Sequence, residues 1–119
     1  MMKLSQKQAV FAHNVAKLIE FIYSKGYYCS LGETYRTAAQ ALAYSKEGKG
    51  IANSLHCKRL AIDINLFSPD GSYFPETKDY EPFGEYWETL NPLNRWGGNF
   101  PKHSPGARID GNHYEMRDL

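Results

Sequence analysis

The stretch LAIDINLF, residues 60–67, alternates large apolar residues with small or polar ones. Because successive side chains of a strand point to opposite faces, this pattern predicts a β-strand with one apolar face. Asp63 falls on the other face, together with Ala61 and Asn65, and should point toward a surface or a cleft. The sequence therefore predicts a half-buried strand that carries a carboxylate on its polar side.

Segments on both sides of this strand complete a mixed architecture. Apolar residues at helical spacing predict a first helix over about 5–25, which Gly26 is placed to end. The other expected elements are a short strand at 27–31, a helix at 37–45, a polar loop at 46–53, a turn at 68–71 closing a hairpin with 72–74, a short helix at 85–90, an irregular loop up to 106 and a strand at 113–116. This order indicates an α+β domain in which N-terminal helices pack on a small antiparallel β-sheet.

Length and composition exclude several classes of protein. A chain of 119 residues is long enough for one core, so residues 1–119 are expected to form a single domain. The net charge of +1 and the lack of a concentrated basic segment argue against nucleic acid as a partner. No stretch approaches the roughly 20 apolar residues of a membrane span, and the first residues lack the apolar block of a secretory signal. We therefore expect synthesis in the cytoplasm, no membrane insertion, and reduced thiols at Cys29 and Cys57.

Three residues form a set of possible metal ligands: His56, Asp63 and His113. Two imidazoles and one carboxylate would leave a zinc ion one open position for water. Asp110 precedes the last histidine by three residues and could accept a proton from that water. Each spacing is weak alone, but two adjacent antiparallel strands could bring the three side chains onto one rigid surface. The combination predicts a zinc hydrolase.

Four short motifs, in this order, carry a resemblance to a known family. They are SLH at 54–56, AID at 61–63, WGG at 96–98 and DGNHYE at 110–115, and ETYRT at 33–37 also fits. Together they resemble the zinc peptidases of the D-alanyl-D-alanine carboxypeptidase and dipeptidase family, whose fold is hedgehog/DD-peptidase-like. The closest resemblance is to the compact phage branch, the L-alanyl-D-glutamate endopeptidases that act as endolysins. The resemblance covers about residues 27–116.

The resemblance implies a role for each matching position. His56, Asp63 and His113 would hold one zinc ion per chain, and Asp110 would be the catalytic base. In the same pattern, Arg36 would face the scissile carbonyl or a substrate carboxylate.

Two further positions concern the substrate groove. Ser54 matches a serine that lies near the substrate in the family pattern. Arg59 departs from the pattern, since the family often has glycine three residues after the first ligand. A long side chain there would reshape the groove rim or contact substrate, without removing a ligand.

The function that the resemblance implies is hydrolysis of the stem peptide of bacterial peptidoglycan, by a monomer that stays in the host cytoplasm until it is released to the cell wall. One alternative within the class is a D-alanyl-D-alanine carboxypeptidase or dipeptidase. Another alternative is a non-catalytic wall-binding or phage structural module on the same scaffold. The presence of all four polar positions favours the enzyme.

Other polar and aromatic residues have simpler interpretations. His13 and His103 are expected to be exposed, Trp96 to report tight packing against the neighbouring glycines, and the acidic stretch 70–81 to be solvated and not a calcium loop. Glu115 shares a strand face with His113, so it either orients that ligand or forms a surface salt bridge.

Overall fold

A computed structural model describes residues 2–48, 54–103 and 105–119, with the side chain of His103 left out. Residues 49–53 of the expected polar loop lie outside the described part. The elements within these ranges are α1 (Leu4–Ser24), β1 (Tyr28–Leu31), α2 (Ala38–Lys46), β2 (Ala61–Phe67), α3 (Thr77–Leu90), β3 (Asn94–Trp96), α4 (Phe100–His103) and β4 (His113–Met116). The four strands form one antiparallel sheet in the order β1-β2-β4-β3. The α+β class is confirmed.

Strand β2 lies in the middle of the sheet and has two different faces. Ile62, Ile64 and Leu66 are buried in the core, whereas Asp63 and Asn65 on the opposite face are half-buried. This is the division that the alternating sequence predicts. The core side is covered by helices, so the polar side of β2 is left available for a site.

Helices α1 and α3 cover the core face side by side. Phe11 of α1 meets Trp87 of α3 edge to face, with ring centroids 5.5 Å apart, and Phe21 meets Phe83 at 5.8 Å. Edge-to-face packing of this kind is favourable beyond the area it buries. None of the helices in the described ranges is both long and apolar enough to cross a membrane.

Helix α3 corrects the sequence analysis, which expected a helix only over 85–90. The helix begins at Thr77 and continues through Pro82. A proline inside a helix removes one hydrogen bond and crowds the preceding turn, at a cost of about 3 kcal/mol. Tyr80, Phe83 and Trp87 are all buried on one face of α3, and burying each aromatic side chain contributes about 1.5–3 kcal/mol. Packing therefore outweighs the proline.

The segment after α3 also contains elements that the sequence analysis missed. Strand β3 ends on Trp96, the first residue of the Trp-Gly-Gly motif, and α4 occupies the start of the segment that was expected to be an irregular loop. The tight packing expected of Trp96 is confirmed, because a Cβ atom on Gly84 would lie 2.0 Å from its ring and one on Gly98 would lie 2.3 Å from it. The Trp96 indole Nε1 donates a hydrogen bond of 2.6 Å to the carbonyl oxygen of Gly111. The indole thus ties α3 and β3 to the segment that precedes β4.

The expected turn after β2 is present, and Asp70 stabilises it. Its Oδ1 accepts hydrogen bonds from the Ser72 amide, at 2.9 Å, and from the Ser68 hydroxyl. The returning chain forms one isolated bridge, between Phe67 and Tyr73, in place of the expected hairpin strand at 72–74. Of the remaining acidic residues, Glu76 precedes α3, and Asp79 and Glu81 lie in its first turns.

Candidate metal centre

The sheet places Asp63 and His113 directly opposite each other. Asp63 of β2 pairs in register with His113 at the start of β4, so both side chains lie on the same face of the sheet. The amide of Asp63 donates to the carbonyl oxygen of Glu33 at 3.0 Å, and the amide of Gly32 donates to the carbonyl oxygen of Asp63 at 2.7 Å. These bonds fix the backbone of Asp63 from its β1 side as well.

A short 3₁₀ turn at residues 55–58 positions His56. Ser54 begins the turn, and its hydroxyl accepts a hydrogen bond of 3.2 Å from the His56 amide. Arg59 ends it in the left-handed conformation, with φ of 55°, which strongly favours glycine. This backbone conformation explains why the family pattern often has glycine at the position of Arg59. The Arg59 guanidinium stacks on the ring of Tyr35, with its Cζ 4.1 Å from the ring centroid.

The three predicted ligands converge. Nε2 of His56 lies 3.5 Å from Oδ1 of Asp63, and Nδ1 of His113 lies 3.3 Å from the same oxygen. One ligand atom from each residue falls within 4.8 Å of the others, and these three form the one such group of His, Cys, Asp and Glu among the described residues. Oδ1 of Asp63 is buried and has no hydrogen-bond partner in the described part of the chain. Two imidazoles and a carboxylate are a donor set that zinc prefers, and a buried unpaired oxygen at their centre fits an ion there.

The charge state of Asp63 suits a metal ligand. Burial would raise the pKa of this carboxyl, but the imidazoles of His113 and His56 outweigh burial and hold the pKa at about 2. The group is therefore ionised at neutral pH, as a ligand must be.

Glu115 orients His113 from the far side of the imidazole. Its Oε1 lies 2.8 Å from Nε2 of His113, and its side chain is only 14% exposed. Burial would lower the pKa of His113, but Asp63 and Glu115 raise it to about 9. A proton on Nε2 that bonds Glu115 leaves Nδ1 facing Asp63. Of the two interpretations of Glu115, the structure therefore supports the orienting one.

Asp110 lies beside the three ligands but is not one of them. Its Oδ2 is 3.8 Å from Nδ1 of His113, and its side chain remains 47% exposed. The Asp110 amide donates to the carbonyl oxygen of Gly97 at 3.1 Å, and a Cβ atom on Gly97 would lie 2.0 Å from the Asp110 carbonyl oxygen. Burial raises the pKa of Asp110 above its ordinary value. This carboxyl can reach both solvent and the metal position.

Arg36 approaches the site from the His56 side. Its amide donates to the carbonyl oxygen of His56 at 3.2 Å, and its guanidinium forms an ion pair with Glu33. The pairing of Glu33 with Arg36 could not be predicted, because residues 32–37 have no regular structure whose periodicity could relate the two side chains.

The remaining candidates lie away from the ion position or have other contacts. Ser54 is buried, and its role next to the substrate stays a prediction beside the capping role that the structure shows. His13 is exposed on α1, and the side chain of His103 lies outside the described part. Cys29 and Cys57 are free thiols, and neither belongs to the ligand group.

Two solved structures match the fold over most of the chain. One is the L-Ala D-Glu endopeptidase ChiX of Serratia marcescens, with a TM-score of 0.65 and 18% identity, covering 87% of this chain and 78% of that chain. The other is a mutant of the vancomycin-resistance D,D-pentapeptidase VanY from a VanB-type cassette, in complex with Zn(II). It matches with a TM-score of 0.60 and 17% identity, covering 89% of this chain and 70% of that chain. This chain has the fold of these two peptidases.

The resemblance inferred from the four motifs is thus confirmed at the level of the fold. No protein-family model and no curated protein sequence matches the chain.

Proposed function

We propose that this protein is a zinc-dependent peptidase that hydrolyses the stem peptide of bacterial peptidoglycan. The observation that carries the proposal is the convergence of His56, Asp63 and His113 within 4.8 Å, with the half-exposed carboxyl of Asp110 beside them. The fold shared with an L-Ala D-Glu endopeptidase and a zinc-bound D,D-pentapeptidase supports the same chemistry. A non-catalytic module would not need to keep this complete set of side chains.

The residues divide the work of peptide hydrolysis between them. Nε2 of His56, the Asp63 carboxylate and Nδ1 of His113 would hold zinc, which supplies Lewis acidity toward a carbonyl and lowers the pKa of water. Asp110 is placed to accept the proton of the attacking water and to pass it to the leaving amine, and its raised pKa makes it a stronger base for the first transfer. Arg36 is placed to donate hydrogen bonds to the developing charge on the carbonyl oxygen or to a substrate carboxylate.

We propose further that the scissile bond is the one between L-alanine and D-glutamate, and that the protein is a phage endolysin. The motifs that resemble the phage branch support this assignment, as does the similarity to ChiX. The protein would then act as a monomer and remain in the host cytoplasm until its release to the wall. A cut between two D-alanine residues is the alternative, and the observation in its support is the similarity to VanY.

Mass analysis of fragments released from purified peptidoglycan tests the proposal. An L-Ala–D-Glu cut creates new N-terminal D-glutamate, whereas a cut at the end of the stem peptide creates a new C-terminal D-alanine. We expect the first product with zinc-loaded protein, its loss after chelation and its return when zinc is added. His113→Ala is the matched control for contaminating hydrolases. Binding to peptidoglycan without any released fragment would contradict an enzymatic function.

A further inference from the structure

Glu33 contacts the side chains of Arg36 and His56 and the backbone of Asp63. Its Oε1 accepts a hydrogen bond from Nη2 of Arg36 and lies 3.8 Å from Nε2 of His56. Its own carbonyl oxygen accepts the amide hydrogen of Asp63 at 3.0 Å. One residue outside the ligand set therefore connects two metal ligands to Arg36.

The guanidinium of Arg36 is held on two sides and has N–H donors that no described side chain uses. Its Cζ lies 4.9 Å from the centroid of the Tyr44 ring, and its Nη2 is occupied by Glu33. The side chain is 13% exposed, and its Nε is buried without a hydrogen-bond partner among the described residues. A buried N–H group without a partner is costly unless a ligand pairs with it. The described residues therefore leave donor capacity on the guanidinium for a substrate group that comes into contact with it.

We infer that Glu33 is a positioning residue, whose carboxylate holds the Arg36 guanidinium with its free donors directed at the substrate. This inference rests on the proposed function, because the group that Arg36 meets is a carbonyl or carboxylate of the stem peptide. The planar fork of arginine binds such groups through two parallel hydrogen bonds, which requires a fixed orientation. The cation–π contact with Tyr44 holds the guanidinium from one side, and the bond to Glu33 restricts its rotation.

The structure argues against two other roles for Glu33. Its oxygen lies outside the group of three ligand atoms that fall within 4.8 Å of one another, so Glu33 is not a fourth member of the metal set. Its Oε1 is already engaged by Arg36, whereas a general base needs an oxygen that is free to take a proton. Asp110 fills that second role from the His113 side of the site.

A double-mutant cycle tests the positioning role. We expect Glu33→Ala and Arg36→Ala each to lower kcat/KM by about 10²-fold, with zinc content unchanged, because a misplaced positioning group can cost that much. The double variant should be no slower than Arg36→Ala alone, since Glu33 acts through Arg36. Glu20→Ala, which removes an exposed carboxylate from α1, is the matched control and should keep wild-type activity.

A spectroscopic measurement separates this inference from the proposed function. In the ligand-free protein, the Nε–H signal of Arg36, assigned by its absence from Arg36→Lys, should show slow hydrogen exchange. In Glu33→Ala it should exchange as rapidly as that of an exposed arginine. If the wild-type protein released no peptidoglycan fragments, the proposed function would fail, and this signal would still decide whether Glu33 fixes Arg36. Multiplicative losses in the double variant, loss of zinc from Glu33→Ala, or an unchanged Nε–H signal would each overturn the positioning role.

Discussion

Replacing Glu115 should weaken zinc binding although Glu115 is not a ligand. The carboxylate lies 2.8 Å from Nε2 of His113 and is largely shielded from water, so it forms a charge-assisted hydrogen bond that fixes the ring and makes it a stronger ligand. Glu115→Gln keeps the shape and an acceptor oxygen but loses the charge. Glu115→Ala leaves Nε2 without that partner in a buried position.

The structure ranks the two variants. Removing the outer partner of a metal-bound histidine costs between about tenfold and about 100-fold in metal affinity. We assign the lower value to glutamine and the upper to alanine, which correspond to about 1.4 and about 2.7 kcal/mol of binding free energy. Competition with a chromophoric zinc chelator gives the dissociation constants, measured above the His113 pKa of about 9 so that the proton Glu115 helps to hold does not compete with zinc.

Two controls make this result interpretable. Glu20→Gln makes the same chemical change at an exposed position of α1 and should bind zinc as the wild type does. Circular dichroism and thermal melting of the metal-free variants check the fold, which should persist because the backbone oxygen of Glu115 still accepts the Trp87 indole bond of 3.0 Å. Wild-type zinc affinity in a folded Glu115→Ala variant would refute the orienting role.

Three further predictions follow from the same geometry. Asp110→Asn should keep its zinc and lose about 10²–10⁴-fold in turnover, and loss of zinc instead would make Asp110 a ligand. Gly97→Ala should lower the thermal midpoint, with a cost of about 1–3 kcal/mol, and should slow turnover, because its Cβ would lie 2.0 Å from the Asp110 carbonyl oxygen; unchanged melting and turnover would contradict that contact. With the pKa of His113 at about 9 in the metal-free protein, zinc must displace a proton at neutral pH. Apparent zinc affinity should therefore fall about tenfold for each unit of pH below that value, and an affinity independent of pH would contradict it.

The sequence predicted the position of Asp63 in its strand better than it predicted the length of helix α3. Asp63 could be placed because its strand alternates cleanly, and the alternation itself states which face is polar. The helix predicted at 85–90 was too short because Pro82 is a local signal against a helix. The buried aromatic face that outweighs Pro82 contributes only when α1 and the sheet pack against it. A pattern confined to one segment cannot report packing between segments.

The contacts of Glu33 were beyond reach of the sequence for a different reason. Glu33 meets His56 across more than twenty residues, and its pairing with Arg36 lies in a segment without helical or strand periodicity. Glu115 was easier to anticipate, because residues two apart in a strand share a face. Which nitrogen of His113 contacts Glu115, by contrast, depends on the rotamer of the ring, which the sequence does not specify.

The metal centre is tested most directly by anomalous X-ray scattering at the zinc absorption edge from crystals of the zinc-loaded protein. We predict one strong peak per chain, bonded to Nε2 of His56, the carboxylate of Asp63 and Nδ1 of His113, with Glu115 on the opposite nitrogen of His113. Absence of the peak, or a peak bonded to other side chains, would contradict a zinc site built from these three residues.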